Sequence, residues 1–598
     1  MPFDGLVLAA VRKELNDKLT GGRIEKIYQP DKDEIVLSVH RMGSRCRLLL
    51  SANAQNARIH LTSTIKENPI TPPLFCMVLR KHLEGGRVIS FEQNGLERVL
   101  LVKIDSRDEL GHQSPKHLIC EIMGKHSNII LVEPSVNTII DGIKRYSHAV
   151  SRYREVLPGR PYLPPPPQKK LNPLLVDEGQ FRLACLDSSL ETALPDLLQR
   201  HFEGLSAATC REIVFRSNLS PDTILDQCGD HELRAIWLSL YRLTVPAGEG
   251  RFEPCLTTSI KGKPQDFAAI DLNHTRLKRK HGEMNSLIDI FFSDREQTEK
   301  INKTKKALIN SLKKEIARLE KKLDLYEESL DETAGAEKLR LYGELLTANL
   351  YRLGENKHEV SLENFHEKGQ QTVTIPLDPH RSPAENSQAY FKKYLKAKNT
   401  RSAVELQVAQ AREELNYLEG VGAALDQAGE LSELEEVRQE LIEQRYLKQP
   451  AHTPGSRKNK KEKLIPKPLS FRSSDGFQLF VGKNNKQNDY LTLKMARESD
   501  LWLHTKDIPG AHVIIKTEEK EVTPTTLSEA AGLAAFFSKA RGSKNVPVDY
   551  TLKKHVSKPR GARPGMVIYG QQKTIMAVPD EDLVKKLSTG DTGQSIIN

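Results

Sequence analysis

The chain of 598 residues carries 38% hydrophobic and 28% charged residues, with a formal net charge of +10. That length implies several domains, because single cores rarely grow past roughly 250–300 residues. The cationic excess favours an anionic partner, nucleic acid ahead of a membrane, since no basic amphipathic helix stands out. Seven cysteines, from Cys46 to Cys255, are scattered without a C-x-x-C pair. This argues against a zinc ribbon or disulfide frame and suits a reducing cytoplasm. The start carries Asp4 where a signal peptide needs a cation, and no run nears the roughly 20 apolar residues of a membrane span. No membrane partner is expected.

Residues 1–170 read as mixed α/β. A helix starts at Asp4, strands follow at Ile24–Tyr28 and Glu34–Val39, and a helix covers Pro73–Leu83. Strands return at Val88–Gln93, Val99–Ile104, His117–Ile122 and Asn128–Val132, punctuated by Gly, Asn and Asp. Pro164 to Pro167 close the region as a stiff extended strap. Residues 171–285 read as mainly helical, with a strand-like piece from Cys255 to Ile270. Within them Phe202 to Ala208 is either a phosphate-binding helix–Gly turn–helix or a plain helical corner, and the single glycine favours the corner.

In residues 286–447 the apolar positions step by three and four: Ile309, Leu312, Ile316, Leu319, Leu323, Tyr326, Leu330. A second seam runs through Val404, Val408, Ala411, Leu415 and Leu418, and Leu434, Val437 and Leu441 continue it. A turn-rich patch between the seams predicts an antiparallel coiled-coil hairpin with a small tip, rather than a parallel dimerising coil; a monomer is expected. Residues 448–466 are a basic linker of low hydrophobicity. Residues 467–580 alternate strands (Gln478–Val481, His512–Lys516, Val567–Tyr569, Thr574–Ala577) with a helix at Thr526–Arg541, and 581–598 form a flexible tail. The fold class is multidomain α+β.

No P-loop, H-E-x-x-H or G-x-S-x-G occurs, and Gly248-Glu249-Gly250 and Gly420-Val421-Gly422 lack a third glycine. No catalytic residue, metal set or cofactor is read. Pro2 could become the amine of a DNA-repair lyase, but Phe3 follows it where such enzymes carry an acid, and no zinc finger exists.

Groups that could grip RNA are clearer. Glu97-Arg98 lies at the turn of the Val88–Ile104 hairpin, where a carboxylate beside a guanidinium can read a base edge or hold phosphate; the bland reading is an exposed ion pair. Asp4 is either a contact residue or a helix N-cap. Arg80, which projects charge with Lys81 and Arg87 while the apolar members of its helix pack, and Lys125-His126, beside Gly124, add donors. Arg472, Lys483, Asn485, Arg497, Trp502, His504, Lys506 and His512 crowd one passage, and Lys554, His555, Lys558 and Arg560 follow. Trp502 is a stacking platform or, more commonly for tryptophan, core.

The run Arg472 to Phe477, Val481 to Asp489, Asp500 to His504 and Pro509 to Ile515 resembles the NFACT-R domain of the RqcH/NEMF family, whose bacterial relatives were labelled fibronectin-binding. The segments around Arg80 and Lys125 look like the family's NFACT-N motifs. Tyr342 to Leu346, Ala348 to Leu350 and Tyr390 to Tyr394 are also similar. The resemblance spans essentially the whole chain. It implies a glycosylase-like NFACT-N domain (1–170), a helix-hairpin-helix domain, the coiled-coil middle domain and NFACT-R. It also implies that the tRNA is held by the pair at Glu97-Arg98, where the family usually has Asp-Arg, with Asp4, Arg80, Lys125 and His126 nearby. The implied function is cytoplasmic: binding stalled large ribosomal subunits with peptidyl-tRNA, recruiting alanyl-tRNA, and directing messenger-independent alanine tailing, with an RqcP-like helper. The other function classes are a DNA-repair lyase and a surface adhesin.

Overall fold

The computed structural model describes residues 3–108, 110–260, 262–366, 372–449 and 466–588. Pro2, nearly all of the basic linker and the tail beyond Ser588 lie outside the described residues. Two compact units divide the chain, Met1–Thr298 and Glu299–Asn598.

In the first unit nine antiparallel strands make one sheet: β1 (Arg23–Asp31), β2 (Glu34–Arg41), β3 (Ser44–Ser51), β4 (Arg58–Leu61), β5 (Arg87–Glu92), β6 (Val99–Asp105), β7 (Lys116–Glu121), β8 (Asn128–Glu133) and β9 (Thr138–Gly142). Their order is β4-β3-β2-β1-β5-β6-β7-β8-β9. Against the sheet lies α1 (Gly5–Leu19). Leu6, Val7, Leu8, Ala9, Ala10 and Val11 are all buried, the signature of a helix enclosed on every side. Strands β3, β4 and β9 were not expected. β3 opens on polar Ser44, Arg45 and Arg47 and owes its existence to pairing with β2 across Met42-Gly43. Both turn residues have positive φ, 46° and 78°, as a tight hairpin requires.

Five helices follow the chain: α2 (Leu74–Leu83) between β4 and β5, then α3 (Glu178–Leu186), α4 (Leu194–His201), α5 (Ala207–Arg216) and α6 (Asp230–Gly248). A small sheet of β10 (Cys255–Thr258), β11 (Pro264–Ala268) and β12 (Lys278–His281) comes next. One hydrophobic core runs unbroken from Phe3 to Phe292, with no seam at 170 or 285. Phe3, Phe267, Phe291 and Phe292 meet edge-on within it. The long helix α7 (Met284–Thr333) starts in this unit, where buried Arg58 and partly buried Lys66 each pair with both Glu34 and Glu296.

In the second unit Leu312 and Leu319 of α7 bury against Leu418, Val421 and Leu425 of α9 (Pro383–Gln427), and Leu323 packs with Val408 and Ala411. Higher numbers on α7 meet lower numbers on α9, so the helices run in opposite directions. Between them sit α8 (Ala336–Ala348) and the hairpin β13 (Glu359–Glu363) and β14 (Thr372–Pro376), sharing a core of Tyr342, Leu345, Leu346 and Ile375. The expected continuation through Leu434, Val437 and Leu441 is corrected: α9 stops at Gln427. These residues form a separate helix, α10 (Leu431–Glu443), that adds to the Leu312–Leu418 cluster.

The C-terminal part holds β15 (Leu469–Arg472), β16 (Gln478–Val481), α11 (Asn485–Tyr490), β17 (Leu501–Thr505), β18 (Val513–Ile515), α12 (Pro524–Phe536), β19 (Val546–Leu552), β20 (Val556–Ser557), β21 (Ile568–Tyr569) and β22 (Lys573–Ala577). Six of these strands form an antiparallel sheet in the order β15-β16-β18-β17-β19-β22. Alternation sorts its faces: Leu503, Val513 and Ile515 pack with α12, while Trp502 and Ile514 face the other side. The flexible tail expected from 581 is corrected at its start. Glu581–Ser588 form α13, burying Val584 and Leu587 against the α12 face.

Gly204 sits at φ +70°, and a Cβ there would meet Leu96 at 2.4 Å. Gly204→Ala is expected to destabilise the first unit by about 1–3 kcal/mol, read as a lower urea midpoint at unchanged slope.

Candidate nucleic-acid interface

The first unit's site is built on Asp4. Its Oδ1 accepts from Val7 N (2.9 Å), capping α1, and its Oδ2 accepts from Ser206 N and Thr209 Oγ1 (both 2.9 Å), at the start of α5. Burial pushes its pKa up, opposed by the bonds from Val7 and Ser206. The expectation that Asp4 contacts RNA is corrected: it is buried, and both oxygens serve the fold. The Gly204 turn likewise gives the Ser206 N–H to this carboxylate. Gly5 N donates to Gly204 O (2.9 Å), and a Cβ on Gly5 would lie 2.0 Å from Leu96 O. Three backbones therefore meet with nothing between them.

That junction sets the β5–β6 turn. Leu96 is buried, Glu97 exposed and Arg98 half-buried. Gln93 Nε2 donates to Gly5 O and Glu97 O, and Leu96 N donates to Glu203 Oε1. Burial lowers the Arg98 pKa while the Asp4 charge opposes the shift, yet Arg98 forms no ion pair among the described residues. A half-buried guanidinium without a partner is costly unless an anion arrives.

Glu97 and Arg98 line a small cleft walled by Pro165 to Pro167 and Met123. Met123, Pro165 and Pro166 are shared with a neighbouring cavity of about 440 Å³ lined by Lys125, His126, Lys144, Arg145 and Tyr153. Four expected site residues thus share one groove. The proline strap is its wall, fastened by Tyr162 on Glu121 and by Arg154, which binds Glu121 and Leu163 O (2.7 Å each). Lys144, Arg145 and Tyr153 escaped the sequence reading because the strap that gathers them gives no local signal. Lys170 also feels the Arg98 charge; the Lys169-Lys170 pair after the prolines could have suggested it. Arg80 is placed differently: its Nε donates to Ile27 O (2.9 Å) and packs α2 on β1.

In the second unit, α10 presents Glu433, Glu436, Glu440 and Glu443 along one face. Lys483 pairs with Glu433, Asn485 Nδ2 donates to Glu440 (2.9 Å), and Lys486 pairs with Glu443 (2.8 Å). Asn484 and Gln487 donate to Glu436 (2.7 and 2.9 Å). The expectation that Lys483 and Asn485 meet RNA is therefore corrected: they dock α11 onto α10. Lys558 is similarly held by Asp489. Trp502 is fully buried, and His512, also buried, bonds Thr492 (2.8 Å), so neither is a surface platform. Arg472, Arg497, Lys506, Lys554 and Arg560 stay exposed, with His555 half-exposed. His504 is partly exposed beside Trp502, and burial of its ring pushes its pKa down to about 4.

These units define a multidomain α+β protein with cation-lined surfaces. A profile of the NFACT N-terminal and middle domains matches residues 4–463, and one of the NFACT protein RNA binding domain matches residues 467–570. The chain belongs to the NFACT family. It is 40% identical over 590 residues to the Rqc2 homolog RqcH of Bacillus subtilis (strain 168), covering 98% of this chain and 100% of that protein. It is 31% identical over 131 residues to the ribosome quality control complex subunit NEMF of Homo sapiens, 22% of this chain and 11% of that protein. Among solved structures, the N-terminal part of the fibronectin/fibrinogen-binding protein from Streptococcus suis is 32% identical, with a TM-score of 0.41, covering 49% of this chain and 99% of that one.

His504 and His512 both have depressed pKa values in the fold, chiefly from burial. An unfolded histidine titrates near 6.5, so their neutral forms contribute stability that is full above that pH and is lost as pH falls toward about 4. In a Trp237→Phe background, the melting temperature reported by Trp502 fluorescence is expected to drop between pH 6.5 and 4.5. His504→Gln should make that drop smaller.

Proposed function

We propose that this protein is a ribosome-associated quality control factor. It binds large ribosomal subunits that still carry peptidyl-tRNA, recruits alanyl-tRNA, and directs messenger-independent alanine tailing of the stalled chain. The observation that carries the reading is the unpaired, half-buried Arg98 beside exposed Glu97, on a groove shared with Lys125 and His126. Family membership supplies the ribosomal context. Groove and cations offer binding and orientation, so the new peptide bond is made by the ribosome, and the protein raises the local concentration of a correctly held tRNA.

On this reading residues 1–170 are a glycosylase-like NFACT-N region and 171–285 a helix-hairpin-helix region, the two sharing one core. Residues 286–447 are an antiparallel coiled-coil hairpin with a small tip, 448–466 a basic linker and 467–580 the NFACT-R domain. The protein acts as a monomer in the cytoplasm with an RqcP-like helper. Arg472, Arg497, Lys506, Lys554, His555 and Arg560 meet ribosomal RNA. No helix among the described residues is long and apolar enough to cross a membrane.

Glu97→Ala with Arg98→Ala is expected to abolish alanine tails on a stalled reporter while the variant still sediments with large subunits; undiminished tailing would sink the assignment. Replacing Arg497, Lys506 and Lys554 together by alanine should weaken subunit binding and lower tailing in step with it. The slope of log affinity against log salt should fall by about 0.7 for each phosphate no longer neutralised, measured by sedimentation at graded potassium chloride.

A further inference from the structure

The C-terminal sheet carries, on the face opposite α12, a cavity of about 300 Å³ that none of the roles above uses. Its volume sits at the lower end of the range of small-ligand sites, about 300–1,000 Å³. Aromatic rings build its inner end. Trp502 and His504 lie nearly parallel, 17° apart with centroids at 5.8 Å, while His512 stands edge-on to Trp502 at 5.1 Å and Tyr569 lies 4.8 Å from it.

Hydrogen bonding within this wall is incomplete at Trp502. Asn488 Nδ2 donates to Gly510 O and its Oδ1 accepts from His512 N, while His512 bonds Thr492. The Trp502 indole Nε1 is buried and has no partner among the described residues. A buried N–H left alone in a closely packed wall calls for an acceptor. The ring of His504 lies against the backbone of Gly510 and of Thr505. With its pKa near 4 the imidazole is neutral at physiological pH, so the nitrogen that carries no proton remains an acceptor.

The lining contains no lysine or arginine, and Asp507 stands at its rim. A phosphate would find no countercharge inside. A planar, uncharged ring with both donors and acceptors on its edge matches the wall. We propose that this cavity receives one unpaired nucleobase of an RNA, whose hydrogen-bonding edge is read by the indole N–H of Trp502 and the imidazole of His504. Single-stranded RNA is commonly recognised this way, by splayed bases held against aromatic and imidazole rings. Lys506, beside Asp507, is exposed and would meet the flanking backbone. The inference deepens the RNA-binding reading above and rests on it.

Saturation-transfer NMR of the full-length protein with AMP, GMP, CMP and UMP tests it, with ribose 5-phosphate and inorganic phosphate as controls. At least one nucleotide should receive saturation mainly on its base protons, and ribose 5-phosphate none. Trp502→Phe, which keeps a ring in the core, and His504→Ala, at a partly exposed position, should each weaken that affinity about tenfold, measured at a temperature where each variant's melting curve shows it fully folded. Equal transfer to ribose 5-phosphate, or full affinity in both variants, would overturn the proposal. Sedimentation of the wild-type protein with large subunits separates the two readings. If it sediments but no nucleotide shows saturation on its base, the cavity proposal falls and the ribosomal reading stands. If nucleotides bind in a variant-sensitive way without sedimentation, the reverse holds.

Discussion

One carboxylate, Asp4, organises the first unit. It closes the N-termini of α1 and α5 at once, bringing two helices distant in sequence onto a common point. Each capping bond contributes on the order of 1 kcal/mol, but the geometric effect is larger. The Gly5 and Gly204 backbones, beside the two capped helix starts, lie directly against Leu96 of the β5–β6 turn. The pair Glu97-Arg98 therefore projects from a rigid junction, the condition for holding a flexible ligand at a defined distance.

The molecule separates cations that hold it together from cations left for others. Arg58 and Lys66 at the root of α7, Arg154 under the strap, and Lys483 and Lys486 facing α10 are all matched by carboxylates. Matched charges add little field outside the protein. Among the described residues, Arg98 in the first unit and Arg497, Lys506 and Arg560 in the second have no such carboxylate, and their charge is left for an outside anion.

Much of this architecture was legible in the sequence. α1, β1, β2 and β5 to β8 follow from periodicity and turn residues, and the α7 and α9 seams follow from steps of three and four. The strands missed were those made by their neighbours. β3 is half polar, and β17 reads as Leu501-Trp502-Leu503-His504 with both faces covered, so alternation gives no cue. In the candidate site, Glu97, Arg98, Lys125 and His126 lie on or beside turns that are legible in the sequence, and the structure brings them to one groove. Lys483 and Asn485 misled because their carboxylate partners lie in α10, and no local pattern shows that a cation's partner sits on a distant helix. Asp4 stood evenly between cap and contact until the position of Ser206 was known.

The carboxylate row on α10 also decides what can leave. Glu433 and Glu443 hold Lys483 and Lys486, while Glu436 and Glu440 accept from Asn484, Gln487 and Asn485. Peeling α11 away would strip donors from all four carboxylates together, and Glu440 is buried. A buried carboxylate left without donors is costly, so α10 and α11 part only as the surrounding fold unravels.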